Sequence, residues 1–260
     1  MSVQSESLAG SPENTGLPGG NSVDPAEIAR FSAMAADWWN PRGKFAPLHR
    51  FNPVRLGYIR DALQGHFGLA AAAGLNGLRL LDIGCGGGLV SEPLARMGAR
   101  VTGADAGERN IAVARLHAGQ SGLDIDYRCS SAEALADSGE QFDAVLALEI
   151  VEHVADPAGF FAACSRLLRP GGLLIASTLN RSPKAYALAI VGAEYLLRWL
   201  PPGTHDWKKF LKPHELAKLL RDAGLSVTDV RGASYNPLSE RWSLGRDTGV
   251  NYFMTAEKPS

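Results

Sequence analysis

The sequence is poor in cysteine, carries no excess of either charge and contains no long apolar run. Its three cysteines, Cys85, Cys129 and Cys164, form no CxxC pair, which argues against a disulfide framework or a structural zinc site and fits a reducing compartment. With 26 basic and 27 acidic residues the net charge is −1, so no nucleic-acid partner is expected. No stretch of roughly 20 apolar residues is present, which argues against a membrane-spanning helix.

The N-terminal segment has little apolar material. Residues 1–22 are rich in Ser, Gly, Pro and Asn and lack the basic start and apolar core of a secretory signal. We predict a disordered tail over residues 1–22 and a single domain over residues 23–260 of a cytoplasmic protein. Hydrophobic residues make up 45% of the chain, enough for a substantial core.

Apolar strands and helical patterns alternate along most of the chain, which predicts an α/β fold with a mostly parallel sheet. Two N-terminal helices are expected first, over Pro25–Trp39 and Pro53–Gln64. The alternating segments are Arg79–Ile83, Val90–Met97, Val101–Ala104, Glu108–Ser121, Ile125–Cys129, Phe142–Leu148, Pro157–Leu168 and Gly172–Thr178. Leu225–Val230 and Asn251–Glu257 are predicted as an antiparallel pair that closes the sheet.

An apolar insertion interrupts this alternation over about residues 180–211. Residues 185–200 are aromatic or aliphatic on most sides of a helical pattern and contain only two charged residues, Glu194 and Arg198. One interpretation is a buried helix that covers the active site. The other is an amphipathic lid that touches a membrane or an apolar substrate, with Lys184, Lys208 and Lys209 flanking it.

The glycine-rich segment at residues 80–89, LLDIGCGGGL, is the most informative pattern. Four glycines in five positions remove the Cβ atoms that would keep a ligand away from the backbone. A second acidic residue, Asp105, follows Gly84 by 21 positions at the end of the next strand. Two adjacent parallel strands that end in this way can hold the ribose of a nucleoside cofactor.

The loop pattern distinguishes between nucleoside cofactors. In the dinucleotide motif GxGxxG the third glycine would fall on Leu89 or Ser91, so that motif fails, and no Gly-Lys-Ser/Thr of a P-loop follows. Asp82, two residues before Gly84, suits a ligand with an ammonium group. The N–H groups of Gly84 and Gly86 would receive its carboxylate, and Asp105 would accept hydrogen bonds from both ribose hydroxyls. S-adenosylmethionine has all of these groups.

An acid–histidine cluster follows the predicted strand that ends at Leu148. Glu149, Glu152 and His153 stand at positions i, i+3 and i+4, which converge if the turn is helical. Two carboxylates and an imidazole could bind a divalent cation. Alternatively, the turn could shape the pocket without a metal, with His153 as a general base.

Several further motifs extend over roughly residues 25–257 and resemble those of one family. The motifs are WW at 38–39, PLHR at 47–50, NPVRLGYI at 52–59, ARLHA at 114–118, STLNR at 177–181, VGAEY at 191–195, GTHD at 203–206, YNP at 235–237 and VNY at 250–252. With the glycine loop they resemble the UbiG family of ubiquinone-biosynthesis O-methyltransferases, within the class I S-adenosylmethionine-dependent methyltransferases.

The resemblance implies specific residues and partners. It implies that Arg55, Gly84, Asp105 and Leu148 hold the cofactor, with Arg55 pairing the methionine carboxylate. It also implies Mg²⁺ or a similar ion at the acid–histidine cluster. The implied substrates are a polyprenyl-hydroxyphenol and demethylubiquinol, drawn from the inner membrane surface through residues 185–200. Other ubiquinone-biosynthesis enzymes are implied partners.

Phenol chemistry explains why either a metal or a base would serve. A phenol with a pKa near 10 is mostly neutral at pH 7, whereas attack on a sulfonium methyl group needs the phenolate. A nearby cation would lower the phenol pKa, or His153 could accept the proton. His205 and Asp206 are further candidates to reach the ring. Two alternatives stay open: a methyltransferase of a small soluble phenol, and a cofactor-binding scaffold subunit of a biosynthetic complex.

Overall fold

An eight-stranded mixed sheet runs through the part of the chain that the computed structural model describes, which is residues 22–187, 207–236, 239 and 241–260. The strands are β1 (Arg79–Ile83), β2 (Arg100–Asp105), β3 (Asp126–Cys129), β4 (Phe142–Leu148), β5 (Leu168–Leu179), β6 (Ser226–Asn236), β7 (Arg241–Gly245) and β8 (Asn251–Glu257). The helices are α1 (Pro25–Ala33), α2 (Ala46–Phe67), α3 (Ser91–Arg96), α4 (Glu108–Gln120), α5 (Ala132–Asp137), α6 (Pro157–Leu167), α7 (Pro183–Ala185) and α8 (Pro213–Asp222).

The strand order is β3-β2-β1-β4-β5-β8-β6-β7. Neighbouring strands from β3 to β5 pair in parallel, whereas β8 is antiparallel to both β5 and β6. The predicted α/β fold is therefore confirmed. The two C-terminal segments do form an antiparallel pair, and β8 joins that pair to the parallel part of the sheet.

The sheet is covered on both faces because its central strands are apolar on both sides. On β1, Leu81 and Ile83 pack against α6 and α8, whereas Leu80 points to the opposite face and joins α2 and α3. This alternation follows from the two-residue period of a strand. All seven residues of β4 are buried, which makes it the centre of the core.

The N-terminal helices differ from the prediction. Helix α1 ends at Ala33, and Ala35–Asp37 form a separate 3₁₀ turn. Helix α2 begins at Ala46, seven residues before the predicted start at Pro53, and contains that proline in its interior. Pro47 already occupies the first turn, where a missing N–H costs nothing. An interior proline removes only one helical hydrogen bond, and the buried face of α2 offsets this loss.

Three elements were not predicted, namely α5, α8 and β7. Helix α5 has only six residues, too few to show a helical period. Strand β7 pairs only with β6 at the edge of the sheet and is mostly exposed, so its sequence lacks an apolar alternation.

Some predictions fall on residues outside the described part of the chain. These are the tail over residues 1–21, residues 188–206 of the apolar insertion, and the candidates His205 and Asp206. Within the described ranges, no helix has the length and apolar character needed to cross a bilayer.

Candidate functional site

A cavity of about 240 Å³ opens at the carboxyl ends of β1, β2 and β4. The chain leaves β1 for β2 on one side and later returns to β4 on the other, so the loops that follow these strands diverge. Open α/β sheets bind their ligands in the crevice that forms at such a point. The cavity is lined by residues of the glycine loop, the ends of β2 and β4, α1 and α2: Glu27, Phe31, Trp38, Arg55, Asp82, Gly84, Gly86, Asp105, Asn110, Leu148, Glu149, Glu152 and His153.

The glycine loop after β1 has a backbone that larger residues could not adopt. Gly84 and Gly86 have φ angles of 75° and 54°, in the left-handed region that favours glycine. A Cβ atom on Gly84 would lie 2.3 Å from the Cδ1 atom of Ile150, and one on Gly86 would lie 2.4 Å from the Trp38 ring. Glycine at both positions therefore leaves room for these two side chains. The N–H groups of Gly84 and Gly86 donate to a β2 carbonyl (2.7 Å) and to Asp105 Oδ2 (3.0 Å), so the prediction that they receive a ligand carboxylate is not supported.

Asp105 ends β2 with its carboxylate at the cavity. Its Oδ2 atom accepts a hydrogen bond from the Gly86 backbone N–H (3.0 Å), and its Oδ1 atom accepts bonds from the N–H of Gly107 (2.7 Å) and from Asn110 Nδ2 (3.0 Å). Burial raises the pKa of Asp105, and these three donors act in the opposite direction. They hold the carboxylate in one orientation beside the glycine loop.

Trp38 is a cavity residue whose role the sequence did not indicate. Its Nε1–H donates to Asn110 Oδ1 (2.9 Å), so Asn110 links the indole to Asp105. The indole ring stacks on Phe45 at 3.8 Å between centroids. The N-terminal segment thereby covers the glycine loop from outside the sheet.

Asp82 is buried at the end of β1, and its Oδ2 atom accepts a 2.6 Å hydrogen bond from Ser91 Oγ. Burial raises the pKa of Asp82 to about 6, against the opposing effects of the Ser91 hydrogen bond and of Arg55. A ligand ammonium group beside this carboxylate would favour its ionised form.

Arg55 is a buried cation on α2, only 3% exposed. Its Nη2 donates to Asn52 Oδ1 (2.8 Å), and Asn52 Nδ2 donates in turn to the Leu89 carbonyl at the end of the glycine loop (2.7 Å). Within the described residues its Nε–H has no hydrogen-bond partner. Burial lowers the pKa of Arg55, and the carboxylates of Glu149 and Asp82 raise it. A buried guanidinium that lines the cavity and has an unused donor fits a ligand carboxylate.

Glu149 follows β4 with a φ of 52° and is the non-glycine residue with positive φ among those described. Such a backbone costs on the order of 1–3 kcal/mol and is concentrated at functional sites. Its Oε1 atom accepts hydrogen bonds from Ser177 Oγ (2.8 Å) and Asn251 Nδ2 (3.4 Å). The ends of β5 and β8 therefore fix this carboxylate at the cavity.

Glu152 is almost entirely buried in the 3₁₀ turn Val151–His153. Its Oε2 atom accepts a 2.7 Å hydrogen bond from Thr178 Oγ1, whereas its Oε1 atom has no partner within the described residues. Burial raises the pKa of Glu152 to about 8, and the neighbouring Glu149 adds to the rise. The group is thus largely protonated at neutral pH.

His153 closes the turn with its side chain 14% exposed. Its Nδ1 atom lies 3.1 Å from Glu27 Oε2 on α1, and the Phe31 ring packs edge-on at 5.1 Å between centroids. The imidazole is therefore held by α1 rather than by the two glutamates of its own turn.

The predicted metal site at Glu149, Glu152 and His153 is not supported. Within the described residues, no three His, Cys, Asp or Glu side chains are arranged to hold a metal ion. The expected convergence at i, i+3 and i+4 requires an α-helix, but the helical part is a 3₁₀ turn that begins after Glu149. One oxygen of each glutamate and Nδ1 of His153 already contact Ser177, Thr178 and Glu27. Although Glu152 Oε1 has no partner within the described residues, the three side chains as arranged do not converge on an ion.

The other predicted site residues meet at one cavity. Arg55, Asp82, Gly84, Gly86, Asp105 and Leu148 all line it, and their arrangement fits S-adenosylmethionine. Sequence reasoning missed Glu27 and Asn110. It also missed Ser177 and Thr178, which donate hydrogen bonds to the two glutamates of the acid–histidine turn. The motifs at 38–39 and 177–181 contain Trp38 and these two donors, but motif membership alone does not assign a contact.

Comparisons with known proteins agree with this geometry. A methyltransferase domain model matches residues 81–176. The fold resembles magnesium protoporphyrin IX methyltransferase from Synechocystis, solved with bound S-adenosylhomocysteine, at a TM-score of 0.58 and 20% identity over 88% of this chain and 94% of that one. It also resembles a methyltransferase from Thermotoga maritima, at a TM-score of 0.53 and 20% identity over 90% and 98% of the two chains. Fold and site together define a class I S-adenosylmethionine-dependent methyltransferase.

Curated relatives identify the family. The ubiquinone biosynthesis O-methyltransferase of Parvibaculum lavamentivorans is 60% identical over 240 residues, which are 92% of this chain and 95% of that protein. The protein of the same name from Ruegeria pomeroyi is 60% identical over 242 residues, 92% and 98% of the two chains. The chain belongs to the family of ubiquinone biosynthesis O-methyltransferases.

The buried carboxyl group of Glu152 predicts a pH-dependent stability. Its pKa in the folded protein lies above its ordinary value of 4.5, so the folded state retains the proton to higher pH. The associated stability is complete below about pH 4.5 and is lost as the pH rises through about 8. Glutamine cannot ionise, so the melting temperature of Glu152→Gln minus that of the wild type should increase from pH 6 to pH 9 in thermal unfolding of the ligand-free protein.

The control for this measurement is Glu108→Gln, on the exposed first turn of α4. Its melting-temperature difference from the wild type should stay flat over the same range. A flat difference for Glu152→Gln as well would show that the Glu152 carboxyl group ionises as it does in water.

Proposed function

We propose that this chain catalyses S-adenosylmethionine-dependent O-methylation of polyprenylated hydroxyphenol and catechol intermediates in ubiquinone biosynthesis. The substrates would be a 2-polyprenyl-6-hydroxyphenol and 3-demethylubiquinol. The main support for this proposal is that one cavity contains both a cofactor cradle at the ends of β1 and β2 and an acid–histidine turn after β4. The relatives named for this activity support the choice of substrate class.

Residues of three elements would hold the cofactor. Arg55 would pair with its carboxylate, Asp82 with its ammonium group and Asp105 with its ribose hydroxyls, while Gly84 and Gly86 allow close approach of the backbone. When bound, S-adenosylmethionine supplies an electrophilic methyl group on a sulfonium. Two acids and one buried cation match the ammonium, hydroxyl and carboxylate groups of this ligand.

His153 would serve as the general base. It lines the same cavity as the cofactor cradle, and a neutral imidazole is suited to take a phenol proton near pH 7. Glu152, protonated at neutral pH, could donate a hydrogen bond to the acceptor ring and would add no second negative charge beside the developing phenolate. The rest of the rate enhancement would come from alignment of oxygen, methyl carbon and sulfur.

A membrane contact through residues 185–200 would give the enzyme access to a prenylated substrate. The composition of this segment supports the proposal. Two of its flanking cations are already paired within the protein, since Lys184 Nζ lies 2.5 Å from Asp247 Oδ2 and Lys209 Nζ lies 3.2 Å from Asp24 Oδ2. The apolar side chains, more than these two cations, would therefore drive binding on the cytoplasmic surface of the inner membrane.

Asp105 substitutions test the cofactor assignment. A hydrogen bond to a charged group contributes about 1.5–3 kcal/mol, so loss of both ribose contacts in Asp105→Ala should raise the Kd for S-adenosylhomocysteine by about 100-fold or more. Isothermal titration calorimetry measures this Kd. Asp105→Asn keeps the size of the side chain, so it tests the same contacts with less risk of misfolding. The control Asp61→Ala, on the exposed face of α2, should leave the Kd unchanged. Unchanged affinity in both Asp105 variants would contradict the assignment.

An activity assay tests the reaction itself. The protein is incubated with isotope-labelled S-adenosylmethionine and a short-chain demethylubiquinol, and the O-methylated product is followed by mass spectrometry. We expect turnover that continues in the presence of EDTA, because the side chains of the acid–histidine turn do not converge on a metal ion within the described residues. Loss of turnover with EDTA and its recovery with Mg²⁺ would show that the turn rearranges to hold a cation.

The same assay separates the two alternatives. Turnover of a water-soluble catechol with indifference to prenylated substrates would favour a methyltransferase of small phenols. Tight cofactor binding without product from any quinol precursor would favour a scaffold subunit.

Sedimentation with anionic liposomes tests the membrane contact. We expect the full chain to sediment with the vesicles and a variant lacking residues 185–200 to stay in the supernatant. A melting transition of the deletion variant, together with retained binding of S-adenosylhomocysteine, checks that it folds. Full sedimentation of the folded deletion variant would rule out this segment as the contact.

A further inference from the structure

Glu27 lies on the inner face of α1, where it contacts two elements that are distant in sequence. Its Oε2 atom lies 3.1 Å from His153 Nδ1, and its Oε1 atom lies 3.7 Å from Lys209 Nζ. Its Oε2 atom also accepts a hydrogen bond from the guanidinium of Arg30, one turn along the helix. The Glu27 side chain is 18% exposed and lines the same cavity as the cofactor cradle.

The position of α1 is itself well defined. Asp24 caps the helix by accepting hydrogen bonds from the N–H groups of Ala26 (3.0 Å) and Glu27 (3.4 Å). The Ser22 carbonyl, just before the cap, accepts a 2.7 Å bond from the Ala155 N–H, directly after the acid–histidine turn. The contact between Glu27 and His153 is thus one of several between the α1 segment and this turn, together with the packing of Phe31 on the imidazole.

The Glu27 contact determines which imidazole nitrogen can act as a base. A carboxylate only accepts hydrogen bonds, so at 3.1 Å it requires a proton on Nδ1. A neutral imidazole with its proton on Nδ1 has its lone pair on Nε2. Arg30 Nη2, which would need an unprotonated Nδ1, is farther away at 3.5 Å, so the shorter contact favours the carboxylate as the partner of Nδ1–H.

Charge works in the same direction as orientation. The hydrogen bond with His153 is the largest influence on Glu27 and lowers the pKa of its carboxyl group, while Arg30 and Lys209 lower it further. Glu27 is therefore ionised at neutral pH. The carboxylate of Glu27, 3.1 Å from Nδ1, stabilises the imidazolium that forms when Nε2 takes up a proton, against the opposing effect of the Arg30 guanidinium at 3.5 Å. The groups that face this pair are Arg30, Lys209 and, from the turn itself, Glu152.

We propose that Glu27 is a positioning residue for the methyl transfer: it fixes the Nδ1–H tautomer of His153 and stabilises the imidazolium. This inference rests on the proposed role of His153 as the general base. In the step concerned, the phenol O–H proton moves to His153 Nε2 as the oxygen forms its bond to the methyl carbon. The methyl–sulfur bond breaks with its electron pair on sulfur, so the sulfonium becomes a neutral thioether and the positive charge ends on the imidazolium.

Three variants separate this role from a structural one. Glu27→Leu removes the acceptor and the charge but keeps a good helix former. Glu27→Gln keeps an amide acceptor for Nδ1–H and removes only the charge. Lys209→Met removes a cation that links Glu27 and the helix cap Asp24 to the rest of the protein and leaves the contact with His153 intact, so it is the matched control for loosening of α1.

The kinetic expectation is a specific loss of kcat. General bases contribute about 10²–10⁴-fold, and we expect Glu27→Leu to lose about tenfold or more of this, with a smaller loss in Glu27→Gln. The KM for S-adenosylmethionine, the Kd for S-adenosylhomocysteine and the melting temperature should change little. Lys209→Met should keep kcat within about twofold of the wild type. A comparable loss of kcat in Lys209→Met would contradict the proposal, because it would point to docking of α1 as the cause.

Two readouts report on the imidazole directly. In the ligand-free protein, ¹⁵N NMR should show His153 protonated on Nδ1, and Glu27→Leu should shift the population toward the Nε2–H form. In the log(kcat/KM) profile, the acid limb should move to lower pH in Glu27→Gln, because the imidazolium loses its counterion. An unchanged tautomer and an unchanged acid limb would overturn the proposal.

His153→Gln distinguishes failure of this inference from failure of the proposed base. If His153→Gln retains full kcat, the base assignment fails, whatever the Glu27 variants do. If His153→Gln loses activity while Glu27→Leu retains it, the base stands and the positioning role of Glu27 fails. If both are right, the double variant Glu27→Leu/His153→Gln should be no slower than His153→Gln alone.

Discussion

The placement of β1 between β2 and β4 is the constraint on which the rest of the site depends. Both neighbours run parallel to β1, so the carboxyl ends of the three strands share one edge while the loops that follow them diverge. The glycine loop, Asp105 and the acid–histidine turn each lie at one of these ends. Their proximity follows from the strand order and from the common direction of the three strands.

Buried charge is the cost of this arrangement. Arg55 and Asp82 are each 3% exposed, and removing an ion from water costs several kcal/mol unless other groups compensate. Compensation within the described residues is incomplete, since Arg55 Nε has no hydrogen-bond partner. A ligand that brings a carboxylate to Arg55 and an ammonium group to Asp82 would give the first its missing partner and the second a counterion. The cradle therefore gains more from its zwitterionic cofactor than a neutral cleft would.

Local patterns made much of this site predictable, and long-range contacts limited the rest. Asp82, Gly84 and Asp105 lie directly at strand ends, so a strand prediction already places them. Glu27 and His153 are 126 residues apart, and Trp38 and Asn110 are 72 apart; no spacing rule connects such pairs. The metal prediction lacks support for a different reason, because it assumed an α-helical turn where the chain has a left-handed residue and a 3₁₀ turn.

Helix α1 connects the two halves of the chemistry. Phe31 and Trp38, within and just after α1, line the cavity that the cofactor cradle opens into, while Glu27 on the same helix contacts the proposed base. The segment formed by α1 and the residues just after it therefore both covers the cofactor cradle and orients His153. If α1 leaves the sheet, Nδ1 of His153 loses its carboxylate acceptor at the moment that the cavity opens to water. A base that is oriented only while the cavity is covered would work chiefly on substrates held away from solvent, where a phenolate and a sulfonium attract each other most strongly.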